Sequence, residues 1–152
     1  MSKLHNFNAG PSILAPEVIE GAANAVNELD NIGLSLIEIS HRSKEFIAIM
    51  DEAQSLVREI LDVPDNYSVL FLQGGASLGF HMAALNFMKE GGTGAYVNTG
   101  AWSKKAIKEG QIVGDVEIVA SSEDANFNYI PKEYAVSTNW DYLHLTSNNT
   151  IF

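Results

Sequence analysis

One segment constrains the fold of this 152-residue chain more than any other: an apolar run followed at once by two glycines. Residues 67–72 are apolar at nearly every position, Gly74 and Gly75 follow, and a helix-forming stretch then runs to Met88. Such a run predicts a strand covered on both faces, as in a parallel sheet between helix layers. A glycine turn between this strand and a helix leaves backbone N–H groups free, which attracts phosphate.

The rest of the chain alternates helix-like and strand-like patterns, which predicts an α/β layered fold. Apolar spacing together with Gly and Pro breaks predicts helices at about 16–29, 46–60, 78–89 and 102–109, and a helical turn or two at 131–136. Strands are predicted at about 34–39, 67–72, 95–97, 116–120 and 141–146.

Composition excludes several classes of function. A formal net charge of −10 and only two arginines argue against a nucleic-acid surface, which needs clustered basic residues. The sequence has no cysteine and therefore neither a disulfide nor a cysteine zinc site. It shows neither a signal peptide nor an apolar stretch long enough for a membrane helix, so we expect a cytoplasmic protein without membrane contact.

The glycine turn is the first candidate binding element. Ala76 and Ser77 would present N–H groups from the first helical turn, and the Ser77 hydroxyl could add a donor. The alternative is an ordinary helix cap made by Ser77. The turn has neither the Gly-Lys-Ser/Thr ending of a nucleotide P-loop nor the Gly-x-Gly-x-x-Gly spacing of a dinucleotide fold.

Two further loops follow predicted strands. Trp102 comes shortly after the strand at 95–97, and Thr150 ends the Asn148-Asn149-Thr150 loop after the strand at 141–146. In a parallel sheet these loops emerge at the same edge as the glycine turn, so an indole there could stack on a planar ligand. Trp102 could equally be a core residue, and Asn and Thr are common turn residues.

His41 and Arg42 form a fourth candidate, because a guanidinium suits a carboxylate or phosphate and arginine is rare in this chain. The alternative is a surface ion pair. His81 and His144 match no metal-binding spacing, and we expect both to be core or half-buried residues rather than metal ligands.

Four motifs in this order resemble the front of the phosphoserine aminotransferase family, over essentially the whole chain. They are Phe-Asn-Ala-Gly-Pro at 7–11, Ser-His-Arg-Ser-Lys-Glu-Phe at 40–46, Phe-Leu-Gln-Gly-Gly-Ala-Ser at 71–77, and Trp102. The resemblance implies the N-terminal part of the large domain of a class-V, fold-type I aminotransferase, with a mainly parallel sheet and helices on both faces. It implies pyridoxal 5′-phosphate (PLP) as cofactor, and a homodimer that moves an amino group from L-glutamate to 3-phosphohydroxypyruvate. The products are O-phospho-L-serine and 2-oxoglutarate, in serine biosynthesis and in many bacteria also in pyridoxine biosynthesis.

The resemblance also implies roles for individual residues. Backbone groups at Ala76 and Ser77 would hold the PLP phosphate, Trp102 would stack on the pyridine ring, and Thr150 would bond near the ring hydroxyl or phosphate. His41 and Arg42 would meet the substrate, across the dimer interface. Some family members have Gly-Arg where this chain has Ala76-Ser77, so a substrate contact made by that arginine is absent here.

Because the family's cofactor-bearing lysine and the aspartate that pairs with the ring nitrogen fall beyond residue 152, we expect this chain to be inactive alone. Residues 1–15 are then an N-terminal segment, and 16–152 are the front part of an incomplete PLP-binding domain. Two alternatives stay open at this point. One is another fold-type I enzyme, such as an alanine–glyoxylate transaminase or a cysteine desulfurase, and the other is a flavodoxin-like phosphate-binding module.

Overall fold

The computed structural model describes residues 4–151, in two compact units that divide between Phe71 and Leu72. The first unit contains two helices, α1 (Pro16–Asn27) and α2 (Lys44–Ile60). Pro16 opens α1, where its missing N–H has no intrahelical partner to lose. The Ser43 side chain caps α2 by accepting a hydrogen bond from the N–H of Phe46 at 3.3 Å.

The second unit contains a three-stranded sheet, two α-helices and one short 3-10 helix. In chain order its elements are α3 (Gly75–Phe87), β1 (Thr93–Asn98), α4 (Ala101–Val113), β2 (Asp115–Ser121), a short 3-10 helix (Glu123–Ala125) and β3 (Tyr142–His144). The strand order is β2-β1-β3, and both pairings are parallel. The predicted parallel α/β arrangement is therefore confirmed for these strands, and their carboxyl ends meet at one edge.

The core of this unit lies between β1 and α4. Tyr96, Ala106 and Ile107 are buried there. Helix α4 can approach β1 closely because Gly110 carries no side chain: a Cβ at that position would lie 2.9 Å from Cζ of Tyr96. The packing of α4 on β1 sets the position of the turn that joins them, and Trp102 lies at that turn.

The expected strand at 67–72 is wrong. These residues pair with no strand in the part of the chain that the structure describes, and Leu70, Phe71 and Leu72 are 68%, 53% and 65% exposed. An apolar run becomes a strand only when another strand is available to satisfy its backbone groups. In the described residues β1 pairs with β2 and β3, and residues 67–72 do not add to the outer edge of either strand.

Two further predicted elements are absent from residues 4–151, and several helix ends shift. Residues 34–39 form turns, in which the N–H of Leu36 donates to the carbonyl of Ala25 at the end of α1. Residues 131–136 are irregular rather than helical, as six residues are too few to offset the cost of helix nucleation without packing. The predicted helix at 78–89 begins three residues earlier, at Gly75, and the one at 102–109 extends to Val113.

Candidate functional site

The glycine turn places the N-terminus of α3 at the carboxyl edge of the second unit. Gly74 occupies the N-cap position with φ of +100°, and Gly75 has φ of +62°. A Cβ at Gly74 would lie 2.7 Å from Cβ of Leu78, so both conformation and space require glycine there. Because α3 begins at Gly75, the amides of Ala76 and Ser77 belong to its first turn, where a helix offers N–H groups without intrahelical acceptors.

Ser77 does not cap this helix. Gly74 is the N-cap residue, and α3 has no side-chain cap. Among residues 4–151 the Ser77 hydroxyl makes no hydrogen bond, and the side chain is only partly buried. The alternative of an ordinary Ser77 cap is therefore wrong, and the hydroxyl remains able to serve a ligand.

The three loops predicted to share one edge do meet. A cavity of about 320 Å³ is lined by Ala76 and Phe80 from α3, by Trp102 from α4, and by residues 144–148 after β3. Trp102 is partly exposed into this cavity rather than sealed in the core. A helix N-terminus, an indole face and a polar loop thus border a single space.

Hydrogen bonds join the loop at 148–150 to the β1–α4 turn. The indole Nε1 of Trp102 donates to Oγ1 of Thr150 at 2.9 Å. The backbone N–H of Trp102 donates to Oδ1 of Asn149 at 3.3 Å, and Nδ2 of Asn149 donates to the carbonyl oxygen and the hydroxyl of Thr99, both at 2.9 Å. Trp102 is therefore held by hydrogen bonds at its backbone N–H and at its indole nitrogen.

A second set of polar groups, which is buried, holds the β1–α4 turn. Ser103 is fully buried, and its Oγ accepts a hydrogen bond from the N–H of Thr99 at 2.8 Å. The same hydroxyl lies within donating distance of Oδ1 of Asn98 and the carbonyl of Gly100. Buried polar groups that are all paired in this way make a turn rigid.

His144 is a cavity residue to which the sequence assigned no site role. Its Nε2 lies 3.1 Å from Oγ1 of Thr146, and its ring meets the edge of Phe80 at a centroid distance of 5.5 Å. Burial lowers the pKa of His144 below its usual value of 6.5, because the charged imidazolium loses hydration. The side chain is therefore neutral at pH 7. In the structure His144 is the last residue of β3, whereas the sequence pattern placed it inside a longer strand at 141–146, so no local signal marked it as a site residue.

His41 and Arg42 lie in the first unit, immediately before α2, and both are exposed. The guanidinium of Arg42 forms no ion pair or hydrogen bond within residues 4–151, so the surface ion pair considered as an alternative is not made. Their contact with a substrate stays a prediction.

His81 is half-buried, as expected, with Nδ1 at 3.4 Å from Oε2 of Glu109. Within residues 4–151 there is no group of three or more His, Asp or Glu side chains arranged to hold a metal ion. Over the same residues no helix combines the length and hydropathy needed to span a membrane.

Comparison with known proteins places this geometry in a family. Residues 4–152 match the family model described as aminotransferase class-V. A phosphoserine aminotransferase of Bacteroides thetaiotaomicron is 53% identical over 150 residues, which is 99% of this chain. The same comparison gives 54% identity over 151 residues with the phosphoserine aminotransferase of Flavobacterium johnsoniae.

Solved structures agree with the sequence matches. The phosphoserine aminotransferase of Bacillus circulans subsp. alkalophilus superposes with a TM-score of 0.88 at 47% identity, over 96% of this chain and 41% of that one. A PLP-bound phosphoserine aminotransferase of Trichomonas vaginalis has a TM-score of 0.82 at 35% identity, over 93% of this chain and 40% of that one. The predicted fold class is thereby confirmed. The chain spans 42% of the length of the curated relatives named above.

Proposed function

Because this chain belongs to the class-V aminotransferase family, we propose that it is the front part of a PLP-dependent phosphoserine aminotransferase. The reaction is transfer of the amino group of L-glutamate to 3-phosphohydroxypyruvate, which gives O-phospho-L-serine and 2-oxoglutarate. One observation carries the proposal: the first turn of α3 and the indole of Trp102 border the same cavity. That combination suits a ligand with a phosphate at one end and a flat ring at the other.

The phosphate end fits the N-terminus of α3. The N–H groups of Ala76 and Ser77 and the positive end of the helix dipole favour an anion there, and the free Ser77 hydroxyl supplies one more donor. A chain with a net charge of −10 repels anions at long range, so local donors have to hold the phosphate. This is the arrangement that the glycine turn provides.

The ring end fits the wall formed by Trp102. An indole face packs well against a planar heteroaromatic ring, and a cavity of about 320 Å³ is within the range of small-ligand sites. The Thr150 oxygen accepts the indole N–H, which leaves the hydroxyl hydrogen of Thr150 free to donate to the ligand. When bound, PLP supplies an electron sink for the bonds at the substrate's amino-bearing carbon.

Residues of the first unit complete the proposal. The unpaired guanidinium of Arg42 suits a substrate carboxylate or phosphate, and His41 beside it can add a hydrogen bond. We further propose a homodimer located in the cytoplasm, and a role in serine biosynthesis with pyridoxine biosynthesis as a second pathway. Residues 16–152 are then the front part of the PLP-binding domain. These assignments rest on the family resemblance.

The test is a substrate comparison with the complete gene product that contains this chain. Purified protein saturated with PLP is assayed with L-glutamate and 3-phosphohydroxypyruvate, with alanine and glyoxylate, and with cysteine as sulfur donor. We expect kcat/KM to be highest by far for the glutamate and phosphohydroxypyruvate pair. Preference for glyoxylate or for cysteine would instead assign a different class-V activity to the same fold.

A further inference from the structure

Asn149 connects the two loops that carry the ring-facing residues of the candidate site. Its side chain bonds three groups of the β1–α4 turn: the N–H of Trp102 at 3.3 Å and the carbonyl and hydroxyl oxygens of Thr99 at 2.9 Å each. These partners lie about 50 residues away along the chain, so the bonds are tertiary contacts rather than a local turn.

The partners determine which way the amide of Asn149 points. A backbone N–H can only donate and a carbonyl oxygen can only accept, so Oδ1 must face Trp102 and Nδ2 must face Thr99. Both N–H donors of the amide and one of the two acceptor directions of Oδ1 are then used within the protein. A reversed amide would set Nδ2 against the N–H of Trp102, which is donor against donor, and Oδ1 against the carbonyl of Thr99, which is acceptor against acceptor.

Asn149 also provides α4 with the cap that its own N-cap residue lacks. Gly100 is the N-cap residue and has no side chain to accept a bond from the first turn. A Cβ at Gly100 would lie 2.8 Å from Cγ of Asn149, so the glycine leaves room for the asparagine to reach the helix end. The amide of Trp102, which would otherwise be one of the unpaired N–H groups, is satisfied from another loop.

Asn149 does not itself border the cavity lined by Ala76 and Trp102, and it lines a neighbouring cavity of about 280 Å³ instead. It precedes Thr150 in the chain, and Thr150 accepts the bond from the Trp102 indole. Asn149 is therefore linked to both ends of the Trp102–Thr150 contact: its side chain bonds the N–H of Trp102, and its backbone continues into Thr150.

We propose that Asn149 is a positioning residue: it fixes the Trp102 ring and the Thr150 hydroxyl so that both face the flat end of the cofactor. This inference rests on the proposed function. It predicts that loss of the amide weakens cofactor binding more than the loss of global stability would explain. The reason is that the Trp102 ring and the Thr150 hydroxyl would no longer be held in their positions.

The experiment compares Asn149→Ala with two controls in the complete gene product. Ile107→Val removes one methyl group from the core of α4 and lowers stability without touching the turn. Asn139→Ala removes an exposed asparagine whose side chain makes no hydrogen bond within residues 4–151. Dissociation constants for PLP are measured by absorbance titration, and thermal melting gives the stability of each variant without cofactor.

We expect Asn149→Ala to weaken PLP binding about fivefold to thirtyfold, and both controls to bind PLP as the wild type does. Hydrogen exchange without cofactor provides a second measurement, in which Asn149→Ala accelerates exchange in the peptide covering residues 99–103 about tenfold. If Asn149→Ala fails to fold, Asn149→Asp replaces it, which keeps the acceptor for Trp102 but loses both donors to Thr99.

Unchanged PLP affinity in a folded Asn149 variant would overturn the inference, as would a loss no greater than that of an Ile107→Val protein of equal melting temperature. Failure of the proposed function has a different signature: the wild-type protein itself would not bind PLP, or it would bind PLP and prefer glyoxylate or cysteine as substrate. The exchange measurement would still decide whether Asn149 holds the turn.

Discussion

The indole nitrogen of Trp102 donates a hydrogen bond to the hydroxyl oxygen of Thr150 at 2.9 Å, across 48 residues of sequence. Trp102 lies in the first turn of α4 after β1, and Thr150 lies in the loop after β3. The two strands are parallel neighbours, so their carboxyl ends bring the two residues together. Trp102 lines the cavity that Ala76 of α3 also lines, and the bond to Thr150 holds its indole at that wall.

We expect Trp102→Ala to weaken PLP binding about tenfold, because it removes both the stacking face and the bond that orients Thr150. Trp102→Phe keeps an aromatic face but loses the N–H, and its affinity should fall between those of the wild type and Trp102→Ala. The matched control is Trp140→Phe, since the indole of Trp140 donates to a carboxylate oxygen of Glu117 at 2.7 Å, outside the cavity. Equal losses in the Trp102 and Trp140 variants, measured by absorbance titration with PLP, would contradict the stacking role.

The N-terminus of α3 depends on the left-handed conformation of Gly74. Gly74→Ala combines an unfavourable φ of +100° with a clash against Leu78, and it should lower the free energy of unfolding by about 1–3 kcal/mol. Gly79→Ala in the same helix meets nothing within 4 Å and should be neutral or stabilising by up to about 1 kcal/mol. Urea denaturation followed by circular dichroism measures both. A Gly74→Ala protein as stable as the Gly79→Ala protein would show that the turn adopts another conformation.

Stability should decrease below about pH 6.5 because of His144. Burial lowers the pKa of this side chain in the folded state, so between the lowered pKa and 6.5 the unfolded chain binds more protons than the folded one. The free energy of unfolding therefore falls as pH drops through that window, and His144 adds no pH dependence above it.

His144→Gln should reduce the difference in unfolding free energy between pH 7.5 and pH 5, as measured by urea titration at each pH. His5→Gln is the control, because it removes an exposed histidine from the N-terminal segment. The comparison uses the pH dependence rather than the absolute stability, since either substitution can change packing. An unaltered pH dependence in the His144→Gln protein would refute the assignment.

The two arginines of the chain should differ in what they control. Arg42→Ala should raise KM for 3-phosphohydroxypyruvate about thirtyfold in the complete gene product, which corresponds to about 2 kcal/mol for a charge-assisted hydrogen bond. PLP affinity should be unchanged. Arg58 donates to the carbonyl oxygens of Val63, Pro64 and Tyr67 after the end of α2, so Arg58→Ala should lower the melting temperature and leave KM unchanged. A KM effect of Arg58→Ala equal to that of Arg42→Ala would remove the case for a substrate contact.

Much of this protein follows from local patterns in its sequence. Several elements of the structure are predicted by local signals. These signals are the two glycines at 74–75, the spacing of apolar residues in α2, and the glycine breaks around β1 and β2. The family motifs extend this to a candidate site, because three predicted loops follow glycine or strand signals that place them on one edge. Local propensity and hydrophobic periodicity are properties of short segments, and a single sequence displays them directly.

Only the tertiary structure decided the rest. The apolar run at 67–72 has the composition of a buried strand but pairs with no strand in the residues described, and no local pattern records which pairings the fold makes. Asn149 looks like an ordinary turn residue in sequence, yet it bonds Thr99 and Trp102 some 50 positions away. Strand pairing and tertiary hydrogen bonds depend on which distant groups the fold brings within about 3 Å, and that information is distributed over the whole chain.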